Sequence, residues 1–370
     1  MDKQTTSDIA KRYRAIKIRF SFAKIAINIS YFVIFQFSGL SHIITAYISK
    51  FFNSQGLIIG GYLFIFGAIY CLIILPLDFY NEFLLERKYR LLTQTFLSWL
   101  SDKVKVLIIS AIIFFIFFEL FYFLLRKSDL FWWLWMTLIW FLFSIFFTQI
   151  FPILIIPLFF KYKTIDNINL QQAITDLAKG AKLEVLGVFQ IDFSKKTTKV
   201  NAALVGLGKS KRIILADNLL SHFTDQEIMA VVAHELGHYK YLHMWRIIFF
   251  NALSALIGFY LIFALSNRII HLLGLSSLSD IKMFPMIGLI LTILGLIYTV
   301  VYNNYSRSLE KQADAFALTE MKNKEAFISC MTKLGEQNLS DFSPNKLVEF
   351  FFYDHPPISK RISFAERNCI

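Results

Sequence analysis

The 370-residue sequence is poor in cysteine and in charged residues. Its three cysteines, Cys71, Cys330 and Cys369, form no CxxC pair, so their spacing predicts neither a disulfide framework nor a thiolate metal site. Only 17% of the chain is charged while 56% is hydrophobic, which excludes an ordinary soluble domain. No compact basic patch with interleaved aromatic residues lies in a polar segment, so the net charge of +12 does not indicate a nucleic-acid partner. The composition indicates a membrane protein.

Six apolar stretches reach or approach the length that crosses a bilayer core about 30 Å thick. They cover residues 25–46, 57–77, 106–125, 131–159, 245–266 and 284–305. Pro152 and Pro157 lie in the fourth stretch, where we expect a kink or an early helix end. The basic residues 1–19 precede a stretch that is too long for a cleavable signal, so we expect it to remain as an anchor. The predicted fold class is an α-helical, multi-pass membrane protein.

The basic residues predict the orientation, because Lys and Arg accumulate in short loops on the cytoplasmic side. With the N-terminus inside, the outer loops hold five of the 38 basic residues and leave 33 inside. Those five are Lys50, Arg126, Lys127, Arg268 and Lys282. We therefore expect the long polar segment and the C-terminal tail to lie on the cytoplasmic face, as they would in a bacterial inner membrane or an endoplasmic reticulum alike.

Four regions follow from this pattern. They are N-terminal transmembrane helices at 1–159, a polar insert at 160–244, a transmembrane hairpin at 245–305 and a helical tail at 306–370. Within the insert, helical spacing and two strand-like runs predict an α+β domain. The helix covers 170–179 and the runs cover 185–193 and 211–216.

One predicted helix of the insert contains the pattern HExxH. The i,i+4 spacing places His234 and His238 on one face, so both imidazoles can reach one tetrahedral Zn²⁺. Glu235 lies beside the remaining coordination position, where a carboxylate can take a proton from an activated water and pass it to a leaving amine. Thr224 and Glu227 predict a capping box at the helix start. Apolar neighbours predict a buried helix, which weakens the alternative of two incidental surface histidines.

A catalytic zinc takes a third protein ligand. The chain leaves the motif into one apolar stretch and returns through the next, so residues just after 305 come back to the same face. Glu310 and Asp314 stand there at i,i+4 spacing. We expect Glu310 to bind the metal and Asp314 to orient a zinc-binding histidine, because the predicted topology favours this over an ordinary solvated helix face.

The other histidines carry weaker signals. His42, His222, His243 and His271 have no partner at ligand spacing, and we interpret them as structural. His355 precedes two prolines, which hold it in a rigid, extended turn rather than on a helix.

Taken together, these motifs resemble the type I CAAX prenyl proteases, integral-membrane zinc endopeptidases of the gluzincin kind. The resemblance covers most of the chain from about residue 75. It is carried by HELGH at 234–238, EKQADAFA at 310–317, VNA at 200–202 followed by KRIIL at 211–215, and HPP at 355–357 with Arg361. The sequence departs from the family at Val200, where serine is common, and in having six predicted spans rather than seven.

The resemblance implies six or seven transmembrane helices around a water-filled chamber, with a cytoplasmic α+β zinc-protease domain and one Zn²⁺. It implies that Asn201 holds the substrate backbone, that the strand near 211–216 pairs with the substrate, and that His355 and Arg361 stabilise the oxyanion. The implied substrates are peptides or proteins, prenylated or membrane-associated, cut near their C-terminus at the lipid bilayer.

Two alternatives stay open at this point. One is a membrane quality-control protease resembling the HtpX family, which shares the zinc motif. The other is a non-catalytic membrane scaffold that keeps the fold, although an intact Glu235 would serve no purpose there.

Overall fold

A computed structural model describes residues 3–128, 130–206 and 208–367, so Cys369 lies outside the described residues. Most of the described chain is helical, and a small sheet is confined to residues 162–216. The helices are α1 Lys3–Phe37, α2 Leu40–Ile48, α3 Gln55–Asp78, α4 Leu85–Lys88, α5 Phe96–Lys127, α6 Trp132–Ile150, α7 Ile156–Phe159, α8 Ile168–Gly180, α9 Asp217–His222, α10 Asp225–Lys240, α11 His243–Leu273, α12 Phe284–Met321, α13 Lys324–Gln337, α14 Lys346–Phe352 and α15 Ile358–Arg367. The strands are β1 Tyr162–Thr164, β2 Val188–Ile191, β3 Ala202–Val205 and β4 Arg212–Ala216.

Six helical segments of the described chain are long and apolar enough to cross a membrane, which confirms the predicted number. They cover Ser7–Phe37, Gln55–Lys88, Phe96–Lys127, Trp132–Phe159, His243–Leu273 and Ile281–Met321. The first expected span, 25–46, is not one helix. Helix α1 ends at Phe37 and the chain turns at Gly39, whose φ of 82° is a conformation that suits glycine, before α2 begins.

Two prolines inside the spans, Pro76 and Pro152, are accompanied by π-helical turns. Pro76 lies in α3, and a π-helical segment at Phe79–Leu84 follows it. Pro152 lies inside a second one, Phe151–Ile155, which joins α6 to α7. Because proline lacks an N–H and clashes with the preceding turn, a wider turn lets the helix continue. The fourth span therefore continues to Phe159 and does not end early.

The sheet has the order β1-β2-β4-β3, in which β1 and β3 run antiparallel to their neighbours and β2 runs parallel to β4. Strand β4 confirms the strand expected near 211–216. Its backbone is paired with β2 on one side and with β3 on the other, so β4 has no free edge. The expectation that this strand pairs with a substrate is therefore wrong, and the free edge beside it belongs to β3.

Two large clusters of buried side chains stabilise the fold, and a small third one joins Tyr13, Leu85 and Leu91. The metal-domain core joins the sheet to α8, α10, α13 and the end of α12, with Leu215, Val232 and Ala317 among its members. The membrane core joins α1, α3, α5, α6, α11 and the start of α12, with Tyr62 and Phe284 among its members. Helix α12 contributes to both cores and runs through residue 305 without a break, so the expected hairpin and tail share one helix.

Candidate metal centre

Helix α10 carries the HExxH motif and is anchored at its N-terminus by the predicted capping box. Thr224 N–H donates to Glu227 Oε2 at 2.8 Å, and Glu227 N–H donates to Thr224 Oγ1 at 3.4 Å. Ser329 and Lys333 of α13 donate to the same carboxylate at 2.6 and 2.7 Å. Burial acts to raise the pKa of Glu227, but the hydrogen bonds from Lys333 and Ser329 outweigh it and hold the pKa below its ordinary value. The cap therefore also joins α10 to α13.

A glycine inside the motif allows α10 to lie directly against α12. A Cβ atom on Gly237 would stand 2.9 Å from the Cα of Ala313 and 3.2 Å from the Cβ of Phe316. No larger residue fits this contact without moving one of the two helices. The close approach brings the face of α12 that carries Glu310 up to the face of α10 that carries the two histidines.

Three side chains converge where the helices meet. His234 Nε2 and His238 Nε2 lie 3.1 Å apart. Glu310 Oε2 lies 3.3 Å from His234 Nε2, and Glu310 Oε1 lies 3.2 Å from His238 Nε2. These are the three residues that the sequence predicted as metal ligands, and the structure brings them together across α10 and α12.

The geometry of this trio fits a zinc ion. Ligand atoms about 2.0–2.1 Å from a tetrahedral zinc lie roughly 3.3–3.4 Å from one another, close to the three separations measured here. Glu310 Oε2 is buried and accepts no hydrogen bond from the described residues, as expected for an oxygen reserved for a cation. Two imidazoles and one carboxylate form the donor set of a catalytic zinc that keeps a fourth position open.

The ring nitrogen of His234 that faces away from the trio contacts Asp314. Asp314 Oδ1 lies 2.8 Å from His234 Nδ1, and Arg361 binds the same carboxylate through Nη2 at 2.5 Å and Nε at 2.8 Å. Burial and the charge of Arg361 act to lower the pKa of His234, but the neighbouring carboxylates of Asp314 and Glu310 raise it to about 9. Asp314 thus contacts the proposed metal ligand His234, and Arg361 neutralises the buried carboxylate; the orienting role of Asp314 stays a prediction.

A cavity of about 340 Å³ opens beside the trio. Its lining includes the remaining predicted residues Asn201, Glu235, His355 and Arg361. Asn201 lies just before β3, and its side-chain Oδ1 accepts the N–H of Ala202 at 2.9 Å. The residues predicted to bind substrate and to take part in catalysis therefore border one cavity, whose lining also includes Ala202, the first residue of β3.

His355 reaches this space from an extended turn. Its Nδ1 contacts Asp354 Oδ1 at 2.9 Å and its Nε2 lies 3.4 Å from Glu310 Oε1. Burial acts to lower the pKa of His355, but the hydrogen bond to Asp354 and the charge of Glu310 raise it above its ordinary value. The imidazole is thus held beside the ligand trio with a preference for its charged form.

The turn is fixed because α1 and α12 bind the last carbonyl groups of α14. Arg14 Nη2 donates to the carbonyl of Phe352 and Asn303 Nδ2 to that of Phe351, both at 2.9 Å. Arg307 Nη1 donates to the carbonyls of Glu349, at 2.9 Å, and Tyr353. The last carbonyl groups of a helix, here those of Phe351 and Phe352, have no partner within it. Since Arg307 and Glu310 lie on the same helix, this clamp sets the position of His355 relative to Glu310.

Sequence reasoning missed one residue of the site. His243 has no partner at ligand spacing and was interpreted as structural, and the structure places its Nδ1 2.9 Å from Nδ1 of His238. The spacing of five residues gave no signal, because Leu242 adopts a left-handed conformation with φ of 56° between α10 and α11. That break turns the side chain of His243 back toward α10.

Comparisons with known proteins give matches over almost the whole length of the chain. The model of peptidase family M48 matches residues 164–368. A second family model, described as "CAAX prenyl protease N-terminal, five membrane helices", matches residues 2–161. The chain is 31% identical to the uncharacterized metalloprotease YhfN of Bacillus subtilis over 97% of this chain and 85% of that one. It is 29% identical to CAAX prenyl protease 1 of Saccharomyces cerevisiae over 82% and 70% of the two chains. The crystal structure of S. mikatae Ste24p is similar, with a TM-score of 0.86 and 26% identity over 99% of this chain and 89% of that one.

Proposed function

Since the chain belongs to peptidase family M48 and carries the N-terminal membrane domain of the CAAX prenyl proteases, we propose that it is a zinc endopeptidase that cuts prenylated or membrane-associated peptides near their C-terminus. The chain is a multi-pass membrane metalloendopeptidase, and the comparisons favour this over the HtpX-like and scaffold alternatives. The proposal adds that the metal is zinc, that the substrates are prenylated peptides and that the site faces the cytoplasm.

The observation that carries the proposal is the spacing of the three ligand atoms. His234, His238 and Glu310 are proposed to hold the ion, because their separations of 3.1, 3.3 and 3.2 Å match the edges of a tetrahedral zinc site. A bound zinc would polarise the scissile carbonyl and lower the pKa of water toward about 7. Asp314 is proposed to keep the proton of His234 on Nδ1, which leaves the lone pair of Nε2 for the metal.

The other residues of the cavity act on the substrate and on the proton. Glu235 would accept a proton from the attacking water and deliver it to the leaving amine. Asn201 and the free edge of β3 would bind the substrate backbone as an added strand. His355 would donate a hydrogen bond to the developing oxyanion. Arg361 would stabilise the same charge from the cavity wall. Its guanidinium is held in position there by two hydrogen bonds to Asp314.

The proposed substrate class and membrane side rest on separate observations. Relatives named CAAX prenyl protease 1 match over 78–82% of this chain, which supports a substrate related to prenylated C-termini. The excess of Lys and Arg in the predicted inner loops supports a cytoplasmic catalytic site, where the cysteine-containing C-termini of soluble proteins become membrane-bound.

The test is cleavage of a farnesylated CAAX peptide by detergent-purified protein, beside the unprenylated peptide of the same sequence. We expect the farnesylated peptide to be cut after its modified cysteine, and Glu235→Gln to lower kcat at least about 1000-fold while the variant keeps one zinc per chain. Equal cleavage of both peptides would contradict the prenyl specificity. A Glu235→Gln enzyme with undiminished kcat would contradict the assigned base.

A further inference from the structure

The buried histidine beside the ligand trio has a direct geometric relation to one ligand. His243 is 1% exposed and opens α11, immediately after the left-handed Leu242. Its Nδ1 faces Nδ1 of His238, the ring nitrogen on the opposite side from the proposed metal position, at 2.9 Å. Its Nε2 lies 3.1 Å from Oε1 of Gln312, which stands two residues after Glu310 on α12.

The direction of each hydrogen bond in this row can be assigned from chemistry. Arg246 Nη1 lies 3.2 Å from Gln312 Oε1, and a guanidinium can only donate, so an oxygen must occupy that position. An amide oxygen can only accept, so His243 carries its proton on Nε2. The neutral imidazole then presents a bare Nδ1 to His238.

It follows that His238 carries its own proton on Nδ1. If His243 were protonated on both nitrogens, His238 would have to accept through Nδ1 and hold its proton on Nε2. That tautomer would remove the lone pair which points toward His234 and Glu310. Nε2 of His238 is therefore free to bind a metal only when His243 is neutral, with its proton on Nε2, and His238 carries its proton on Nδ1.

We propose that His243 is a positioning residue that fixes the tautomer and the ring orientation of the metal ligand His238, with Gln312 fixing His243 in turn. The inference rests on the proposed zinc centre and extends it. The two ligand histidines are then supported differently: His234 by the buried carboxylate of Asp314 and His238 by a neutral imidazole. The neutral partner orients His238 without adding another carboxylate to a site that already contains Glu310 and Asp314.

The experiment measures metal binding by full-length protein in detergent. Metal-free wild type, His243→Leu, His243→Asn and the control His222→Asn, a histidine on the exposed end of α9, are titrated with Co²⁺ against a chelator of known affinity. The absorption spectrum of the bound Co²⁺ and the thermal midpoint of the metal-free protein are recorded for each. None of these readouts depends on catalytic activity.

We expect His243→Leu to bind Co²⁺ about 10- to 100-fold more weakly, with an altered spectrum, because the orienting partner of a ligand is lost. His243→Asn retains a side-chain oxygen close to the position of Nδ1 and is expected to recover most of the affinity. His222→Asn is expected to match the wild type. If His243→Leu does not fold, Gln312→Leu serves instead, and a severalfold loss of affinity is expected because the tautomer of His243 is no longer fixed.

Two results would overturn the inference in distinguishable ways. A His243→Leu protein with a lower thermal midpoint but with wild-type affinity and spectrum would show that His243 only fills space, and the zinc centre itself would stand. A wild-type protein that binds no Co²⁺ through His234, His238 and Glu310 would overturn the proposed function, and this inference with it.

Discussion

The metal-domain core and the membrane core are built from different kinds of side chain. Nine of the nineteen buried members of the membrane core are aromatic and none is alanine. The metal-domain core has seven alanines and three phenylalanines among twenty-six. Small residues let helix backbones come close together, whereas aromatic rings fill the space between helices that stand further apart. His234, His238 and Glu310 are therefore brought together by close contact between helix backbones. The spanning helices pack instead through aromatic side chains.

The largest effect on metal binding and activity is expected at the contact between α10 and α12. Gly237→Ala places a methyl group against Ala313 and separates the helices. Overpacking of this kind costs about 1–3 kcal/mol, and a ligand shift near 1 Å lowers activity by about 100-fold. We expect kcat/KM and bound zinc to fall together. The matched control is Gly295→Ala on α12, where a Cβ has open space; a similar loss there would contradict this explanation.

The reverse result is expected in the membrane core. Phe284 packs edge-on against Phe66 and Phe118, with ring centroids 5.0 and 5.1 Å away. Phe284→Ala should destabilise the protein by about 3 kcal/mol, because it leaves a cavity among aromatic rings. The zinc content of the folded protein should not change. Thermal unfolding in detergent and metal analysis separate the two effects, and loss of zinc from folded protein would show that the cores are coupled more tightly than their packing suggests.

A smaller effect is expected where the spanning helix α12 holds the turn that carries His355. Arg307→Lys keeps the charge but cannot bind the carbonyls of Glu349 and Tyr353 together. We expect kcat to fall about 10-fold with little change in KM or zinc content, since only the position of His355 is affected. Lys311→Ala, an exposed neighbour on α12, is the control. A change confined to KM would argue against a role in positioning His355.

The smallest effect is expected on stability, at the cap of α10 in the metal-domain core. Glu227→Gln keeps the capping geometry but loses the charge that faces Lys333, which is expected to cost about 1 kcal/mol at neutral pH. Because the folded-state pKa of Glu227 lies below its ordinary value of 4.5, the native charge stabilises the protein above that pH, and the contribution disappears as the pH falls through the folded-state value. The melting temperatures of the two proteins should therefore converge in acid, while Glu320→Gln should match the wild type throughout.

The features that the sequence predicted well were those set by local spacing. The i,i+4 pairs at His234 and Glu310, the capping box and the number of spans follow from helix periodicity and apolar length, and the structure contains them. The metal-binding and catalytic roles of these residues stay predictions. Local spacing could not reveal which strand of the sheet keeps a free edge, because that depends on the order of all four strands.

The features that the sequence did not predict depend on single backbone turns. The left-handed Leu242 places His243 on His238, and the left-handed Gly39 divides the first expected span. A non-glycine residue with positive φ carries no reliable local signal, since only the surrounding packing holds it there. The clamp of Arg14, Asn303 and Arg307 on α14 joins three parts of the chain that are distant in sequence, so its donors resemble ordinary polar residues until the fold is known.

The uninterrupted course of α12 also has a consequence for biosynthesis. Translation delivers His234 and His238 before the last two spans exist, while Glu310 lies beyond the apolar part of the final one. The proposed third ligand can therefore reach the first two only after α11 and α12 have been made and have packed as an antiparallel pair. If these three residues bind the metal, a nascent chain that ends before Glu310 lacks the carboxylate, and we expect it to have no hydrolytic activity.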